Sequence, residues 1–572
     1  MLSKGFFVRW GWLSAFAVGW IASGWAQTVL KASPLLDEGA AAYRAVFRVE
    51  LERRGSSTRG ALVLHDAARG TLVYPLDLAT NARKQLYVSL SPRHSGTSLR
   101  YGAMRLEWRG ADGESVAVPL TPPLQTHFPI VVAGDMIGGL EQLNGQEIVS
   151  SIAVSSRDFK LPLKVYYCRP AALPEAWQAL LELPVIVLVG GAETLSEAQW
   201  RALRRWLASG GTLMISVGSL GAALKATVPP DLRPSGIRLA ETAAGVATLA
   251  SQADGWQPLL HDPKQRPLLY RKPFGFGQLY LFMGNLEHPR WRNWPKLRNL
   301  FEQVIYSGGE NFLGEHLSQR FEEAFTRYTQ RVRFGGGWQV VALPLYGVGV
   351  WGLSVYLRRR RRLSGAFAPM AALAAAGVVA ALFLAPRATR LEPNLLTQTL
   401  QSNGEEAMQI GYLYATLDAG WHTLTIGAEV EVLRLATRPN ARVEIHFLSD
   451  APTLRVHCTT RTHLGICFLR PVADTPILEA RRQGTLLHLR NRSSRPLFGV
   501  QVFGRNARGE LPKLIGQRSA LGAGAHARIV IDRPDRFDTL WVQALSEHPI
   551  ASAAMLDGKP IEEVSMLYCF VP

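Results

Sequence analysis

Residues 338–385 have the sequence WQVVALPLYGVGVWGLSVYL-RRRRRLS-GAFAPMAALAAAGVVAALFLA. This stretch separates two long regions of the chain. It consists of two apolar segments, 338–357 and 365–385, neither of which contains a charged side chain. A helix of about 20 residues rises roughly 30 Å, which matches the hydrocarbon thickness of a bilayer. The pattern predicts a transmembrane hairpin of two helices. The alternative, a buried helical hairpin in a soluble core, is disfavoured because neither segment has a polar face.

The loop between the two segments, residues 358–364, indicates the orientation of the hairpin. It contains five consecutive arginines: Arg358, Arg359, Arg360, Arg361 and Arg362. Basic residues in a short loop favour the cytoplasmic side, so both flanking regions are predicted to lie outside the cytoplasm. Arginines next to a membrane are also attracted to an anionic leaflet. The expected partner of this loop is therefore the lipid bilayer, with anionic lipid at the arginines.

The first 26 residues have the organisation of a secretory signal peptide. Lys4 and Arg9 precede an apolar run over 10–25, and small residues come shortly before Gln27. An uncleaved N-terminal anchor is the alternative, because the apolar run is long for a signal. Both interpretations predict export. Together with the arginine loop, they predict a location at the cytoplasmic membrane with most of the chain extracytoplasmic.

Length and charge limit the number of domains and the kinds of partner that the chain can have. A chain of 572 residues with 47% hydrophobic residues is long enough for three or four cored domains. Lys and Arg exceed Asp and Glu by 63 − 45 = 18. Apart from the arginine loop, however, the basic residues are scattered, whereas a nucleic-acid-binding face would combine clustered cations with aromatic side chains. Nucleic acid is therefore not expected as a partner.

Residues 126–310 have the pattern of an α/β domain. The apolar runs at 128–135 and 183–191 predict buried strands, and the apolar spacing over 195–207 predicts a helix whose first turn Ser196 can cap. Repeated strand and helix units with short connections predict a mostly parallel sheet with helices on both faces.

A longer motif in this region carries a resemblance to a known family. The run Leu-Ser-x-x-Gln-x-x-Ala-Leu-x-x-Trp-Leu-x-x-Gly-Gly-Thr-Leu-Met-Ile, at 195–215, follows a strand that ends in Gly190-Gly191. Together with FGFGQLYL at 274–281, it resembles the class I glutamine amidotransferase-like domains of exported, membrane-anchored bacterial proteins. The resemblance covers about residues 127–308. It implies a flavodoxin-like fold, and many members of this group lack the amidotransferase nucleophile.

The remaining regions indicate β structure. Alternating apolar and polar residues predict a β-sandwich-like domain at 40–125 and one or two immunoglobulin-like or fibronectin-like modules at 390–572. Residues 311–335 are predicted to form an amphipathic connecting helix that lies on the membrane surface or, as the simpler choice, packs against the α/β domain. The predicted fold class is multidomain α/β plus all-β with a two-helix transmembrane hairpin.

The resemblance suggests where catalysis would occur. A glutamine amidotransferase needs a Cys on the sharp turn after a central strand, activated by a His that a Glu orients. Here the turn after the strand at 212–217 carries Ser219 and no Cys. Glu287 and His288 follow a late strand, with the order of the family's His-Pro-Glu rearranged. These three are the candidate catalytic residues, and the alternative is a tight turn and a loop histidine without a chemical role.

Two further carboxylates follow predicted strand ends. Asp135 and Glu193 stand where α/β folds place ligand-binding side chains, so a crevice at this edge is the expected ligand site. Carboxylates at strand ends also cap helices, and we assign neither residue a catalytic role.

Two of the four cysteines are candidates for a disulfide or for a metal site. Cys458 and Cys467 flank a short turn, and in an exported hairpin a cross-strand disulfide between them is predicted. Zinc binding with His457 or His463 is an alternative, but the spacing lacks a second close pair of ligands. Free thiols are the third possibility. No phosphate loop, dinucleotide fingerprint or calcium loop occurs, so no metal and no cofactor are predicted.

These features lead to one functional hypothesis and two alternatives. The leading hypothesis is a membrane-anchored, extracytoplasmic scaffold or partner-binding protein of the bacterial envelope whose amidotransferase-like domain is not catalytic. One alternative is an exported hydrolase or amidase that uses the crevice of the α/β domain. The other is an accessory subunit of a membrane transport or envelope-assembly complex.

Overall fold

The computed structural model describes residues 27–35, 45–121, 127–307, 325–326 and 393–571, with short gaps inside these ranges. The gaps are 67–69, 91–92, 96–97, 101–103, 136–138, 151–158, 182, 221–223, 225–226, 235–236, 240–246, 250–255, 263, 276, 403–406, 427–429, 438–442, 448–452, 473–476, 506–512, 532–536, 538 and 548–553. The predicted signal segment 1–26, both predicted spans and the arginine loop lie outside the described residues.

The predicted fold class, multidomain α/β plus all-β with a transmembrane hairpin, is wrong. The described ranges contain 35 strands in seven sheets, and only two of their α-helices exceed four residues. The protein is therefore mostly β-sheet, with parallel and antiparallel pairing mixed. Within the described ranges no helix combines the length and the apolar character that crossing a membrane requires. The transmembrane hairpin is accordingly withdrawn from the fold class, although segments 338–357 and 365–385 are themselves not described.

The N-terminal region is a two-layered β structure. Its strands are β1 (Gln27–Pro34), β2 (Ala45–Arg54), β3 (Thr58–Asp66), β4 (Gly70–Leu78), β5 (Arg83–Leu90), β6 (Arg93–Ser95), β7 (Ser98–Arg100), β8 (Met104–Gly110) and β9 (Ser115–Leu120). The antiparallel sheet β1-β2-β5 faces the antiparallel strands β4-β3-β8-β9. Between the two layers lies an apolar core that contains Leu51, Leu62 and Trp108. Side chains alternate across each strand, which explains the alternating sequence pattern.

The middle region contains a mixed sheet of eight strands. Its strands are β10 (Phe128–Ala133), β11 (Glu147–Ser150), β12 (Phe159–Cys168), β13 (Val185–Leu188), β14 (Thr212–Ser216), β15 (Ile237–Leu239), β16 (Ala247–Leu249), β17 (Gln257–His261), β18 (Pro267–Phe274) and β19 (Gly277–Phe282). The strand order is β11-β12-β10-β13-β14-β19-β18-β17, while β15 and β16 form a separate pair. The five central strands, from β12 to β19 in this order, are parallel, and the outer strands are antiparallel.

Two helices cover the two faces of this sheet. The α-helices of the region are α1 (Trp177–Leu180), α2 (Glu197–Ala208), α3 (Val217–Leu220), α4 (Pro289–Arg292) and α5 (Leu297–Ser307). Helix α2 begins with a capping box between Ser196 and Gln199 and buries Trp206 against one face. Helix α5 buries Phe301 against the other face. The sheet predicted to be mostly parallel is thus a mixed sheet, because antiparallel strands flank its parallel centre at both edges.

The C-terminal region is built on a second eight-stranded sheet. Its strands are β20 (Asn394–Ser402), β21 (Ala407–Leu417), β22 (Gly420–Thr425), β23 (Glu431–Thr437), β24 (Val443–Phe447), β25 (Thr453–Cys458), β26 (Thr462–Val472), β27 (Leu478–Gln483), β28 (Leu486–Asn491), β29 (Leu497–Arg505), β30 (Lys513–Leu521), β31 (His526–Val530), β32 (Thr539–Ser546), β33 (Met555–Leu556), β34 (Lys559–Pro560) and β35 (Glu562–Val571). The order is β23-β26-β21-β20-β35-β32-β29-β30.

This sheet supports separate apolar cores. On one face, Leu413 and Ile466 belong to a core with β22, β24 and β25, while Val542 and Leu567 belong to a core with β27, β28 and β31. The other face packs on the middle region, because Tyr412 shares a core with residues of helix α2.

The N-terminal and C-terminal regions share a sheet. Strand β4 pairs in parallel with β24, which joins both regions into one nine-stranded sheet of order β34-β33-β22-β25-β24-β4-β3-β8-β9. The rings of Tyr74 and Phe447 stack across this seam with centroids 4.6 Å apart. The β segments predicted at 40–125 and 390–572 are therefore directly connected through backbone pairing.

The predicted connecting helix at 311–335 is described only at residues 325 and 326, which are helical. The ring of Phe325 lies 6.4 Å from that of Tyr414 on β21. At Phe325 the segment therefore contacts the C-terminal eight-stranded sheet.

Candidate functional site

The carboxyl ends of four parallel strands define the candidate site. The chain leaves β10 at Gly134, β13 at Val189, β14 at Val217 and β19 at Met283, all on one edge of the sheet. This edge is where open α/β sheets bind ligands. It brings together candidate residues that are distant from one another in the sequence.

Ser219 lies in the turn of α3, directly after β14, and its hydroxyl is used in loop contacts. Its Oγ donates to Asn285 Oδ1 at 2.7 Å and lies 2.7 Å from Ser216 Oγ. Ser216 Oγ in turn donates to the carbonyl of Gly284 at 3.0 Å and accepts the N–H of Leu286 at 3.2 Å. These bonds fasten the loop after β19 to the turn after β14. An amide oxygen such as that of Asn285 is not basic enough to take the serine proton, so this contact does not activate Ser219.

His288 has a structural role as the N-cap of α4. Its Nδ1 accepts the backbone N–H of Arg290 at 3.2 Å, and Pro289 occupies the first helical position. Among the described residues, the side-chain hydrogen bonds of Ser219 go to Ser216 and Asn285, not to His288. The structure therefore brings Ser219 and His288 to the same edge without joining them in a nucleophile–base pair.

Glu287 and Asp135 surround the backbone of Gly190 and Gly191. A Cβ built on Gly190 would lie 3.0 Å from Glu287 Oε1, and one on Gly191 would lie 3.1 Å from Asp135 Oδ1. Gly191 has φ of 64°, which glycine adopts without strain. Two carboxylates beside this loop disfavour a phosphate ligand, because like charges repel.

Glu193 is exposed in the 3₁₀ turn Ala192–Thr194, which follows β13. In the part of the chain that the structure describes, no group of three or more His, Cys, Asp or Glu side chains is arranged to hold a metal ion.

The predicted disulfide is not formed. Cys458 and Cys467 are both buried thiols, and they lie in β25 and β26, which belong to different sheets. The turn between them crosses from one layer to the other instead of closing a hairpin. Burial raises the pKa of the Cys458 thiol to about 11 and those of Cys168 and Cys569 to about 11 and about 12. These thiols are therefore poor nucleophiles at neutral pH.

A buried carboxylate on β8, Glu107, was not among the predicted site residues. Glu107 accepts hydrogen bonds from Arg109 Nε at 3.0 Å and from Ser115 Oγ at 2.8 Å, and His65 Nε2 lies 3.0 Å from it. The bonds from Arg109, Ser115 and His65 hold the pKa of Glu107 at about 2, although its burial acts in the opposite direction. The four side chains come from β3, β8 and β9, so no short sequence motif identifies this cluster.

Comparison with known proteins adds little to this geometry. No protein-family model and no curated protein matches the chain. Among solved structures, it is similar to the yeast delta-COP-I mu-homology domain in complex with a Dsl1 WxWxV peptide, at 8% identity and a TM-score of 0.19 over 32% of this chain and 96% of that chain. The same yeast domain without the peptide gives 7% identity, a TM-score of 0.19 and the same coverage.

A further similar structure is the exo-beta-1,4-mannosidase Op5Man5 from Opitutaceae bacterium strain TAV5. It gives 17% identity and a TM-score of 0.17 over 25% of this chain and 28% of that chain. Scores this low do not establish a shared fold, and no argument about this protein rests on them.

Proposed function

We propose that this chain is a non-catalytic scaffold or partner-binding protein in which the amidotransferase-like sheet serves as a structural body. The observation that carries the proposal is the use of Ser219. Its hydroxyl, the only oxygen nucleophile that sequence analysis placed at the turn, is bonded to Ser216 and Asn285 and tethers two loops. A serine nucleophile would instead need a base such as histidine within hydrogen-bond reach.

The connections between the three regions support a scaffold. Helix α2 shares a core with Tyr412 of the C-terminal region, and β4 shares a sheet with β24 of that region. Extensive burial between regions restricts their relative motion, since separate domains with small polar interfaces move freely. A framework of this kind holds surface residues from distant parts of the sequence in fixed positions. Export of the chain, predicted from residues 1–26 and the arginine loop, belongs to the same proposal, as does a protein partner in the bacterial envelope.

The test compares the full-length chain with Ser219→Ala over a panel of ester and amide substrates. We expect no hydrolysis that depends on Ser219. Ser209→Ala is the matched control, because Ser209 Oγ also donates one hydrogen bond, to the carbonyl of Arg205 at 2.6 Å, but lies away from the candidate site.

Both variants should lose about 1 kcal/mol of stability, the usual net value of a hydrogen bond. Turnover that is lost in Ser219→Ala and kept in Ser209→Ala would contradict the proposal and favour the hydrolase alternative.

A further inference from the structure

One tryptophan side chain on the nine-stranded sheet is exposed to solvent, away from the candidate site. Trp421 on β22 is 47% exposed, the only tryptophan among the large apolar side chains that the described residues leave exposed. The side chains of Leu424, Ile445 and Val456, on β22, β24 and β25, point into the core. Side chains alternate along a strand, so Trp421 and its neighbours at the alternate positions of these strands point into solvent.

Three side chains from two neighbouring strands order the indole. The ring centroid of Trp421 lies 4.7 Å from that of His457, its direct cross-strand partner, and 4.8 Å from that of His446. The guanidinium carbon of Arg455 lies 4.8 Å from the indole centroid, within the range of a cation–π contact. We call this set, Trp421, His446, Arg455 and His457, the Trp421 face. An exposed ring that is already ordered loses little conformational entropy when a partner covers it.

Arg455 supplies an accessible positive charge on the Trp421 face. Glu444, on the same face, lies 3.5 Å from His446. Arg455 is exposed, and within the described part of the chain no carboxylate lies at salt-bridge distance from its guanidinium. Trp and Arg are both enriched among the few residues that contribute most of the binding energy in protein interfaces.

We propose that the Trp421 face is a docking site for an acidic protein segment that places an apolar side chain on the indole of Trp421 and a carboxylate on Arg455. The charge of Arg455 selects an anionic partner, since complementary charges set specificity across an interface. Single-stranded nucleic acid fits less well, because it needs several aromatic platforms along a cationic groove, and this face offers one indole and one available arginine. The inference rests on the proposed partner-binding function, but it does not depend on the state of Ser219.

The test measures fluorescence anisotropy of a fluorescein-labelled peptide of alternating Glu and Leu with the full-length chain. A peptide with Gln in place of Glu is the charge control. The variants are Trp421→Ala and Arg455→Glu. The matched control is Arg518→Glu, because Arg518 is also an exposed strand arginine and lies on β30 of the other large sheet.

We expect the Glu-Leu peptide to bind more tightly than the Gln-Leu peptide. Its Kd should rise about 10-fold or more in Trp421→Ala and in Arg455→Glu, and stay within about twofold in Arg518→Glu. Because both substituted side chains are exposed, far-UV circular dichroism of the variants should match that of the parent chain.

Three results would overturn the inference. The first is equal binding of the Glu-Leu and Gln-Leu peptides, and the second is equal loss of binding in Arg518→Glu. The third is tighter binding of oligothymidylate or heparin that disappears in the same two variants, which would identify the face as a site for another anionic polymer. None of these results bears on the hydrolysis test with Ser219→Ala, so failure of this inference is distinguishable from failure of the proposed function.

Discussion

Substitution of Gly411 by alanine tests whether the central strand pair of the C-terminal sheet is packed as the structure shows. Gly411 on β21 lies directly opposite Phe468 on β26. A Cβ on Gly411 would lie 2.1 Å from Cζ of Phe468 and 2.5 Å from its Cε1. Phe468 is fully buried, so its ring has no solvent space into which it can move.

Two effects of opposite sign decide the outcome. Glycine within a strand costs roughly 0.5–1 kcal/mol relative to alanine, so the backbone alone would make Gly411→Ala stabilising. Forcing an additional methyl group into a packed core costs about 1–3 kcal/mol. The steric cost is the larger because the overlap is with an aromatic ring and not with the end of a flexible chain. We expect a net loss of about 1–2 kcal/mol in the free energy of unfolding.

The assay is urea unfolding of the parent chain, Gly411→Ala, Phe468→Leu and the double variant, followed by tryptophan fluorescence. Leucine lacks the ring atoms that would overlap with the new methyl group. Gly411→Ala should therefore cost about 1 kcal/mol less in the Phe468→Leu background than in the parent. A stabilising effect of Gly411→Ala, or an equal effect in both backgrounds, would refute the packing argument.

Two other predictions concern ionisable groups. Arg109, Ser115 and His65 hold the pKa of Glu107 at about 2, against an ordinary value of 4.5, so Glu107 stabilises the fold above pH 4.5 and this contribution disappears as the pH falls from about 4.5 towards about 2. In Glu107→Gln the stability should depend less on pH in that window, as measured by thermal unfolding, and an unchanged pH profile would contradict the assignment. Cys458 and Cys467 should stay unmodified by iodoacetamide in the folded chain and both react in urea without reductant, because they are buried thiols that no disulfide joins. A disulfide-linked peptide found by mass spectrometry would show that the cysteines pair after all.

The local elements of the middle region could be predicted from short stretches of sequence. Phe128–Ala133 and Val185–Leu188 are continuous apolar runs, and all their residues are buried in the sheet. Ser196 and Gln199 form the capping box that starts helix α2. Such features depend on residues a few positions apart, so the sequence is sufficient to locate them.

The candidate site was predictable only in part. The sequence placed Ser219, Glu287 and His288 near one sheet edge, because parallel strands end together. Whether Ser219 meets a base or an amide depends on how the loop after β19 folds over the turn after β14. The bond from Ser219 to Asn285, 66 positions away, has no motif that identifies it.

The sequence by itself determined the alternating strands of both β regions, the buried strands and capped helix between them, and the absence of a Cys at the turn that carries Ser219. Only the tertiary structure decided that Cys458 and Cys467 lie in different sheets. It also decided that β4 pairs with β24, with Thr71 opposite Glu444. The physical reason is that periodicity reports which side of a strand is buried, whereas backbone hydrogen bonds between strands are the same for every sequence. The partner of a strand is therefore decided by which edges and faces remain unburied once the whole chain has folded.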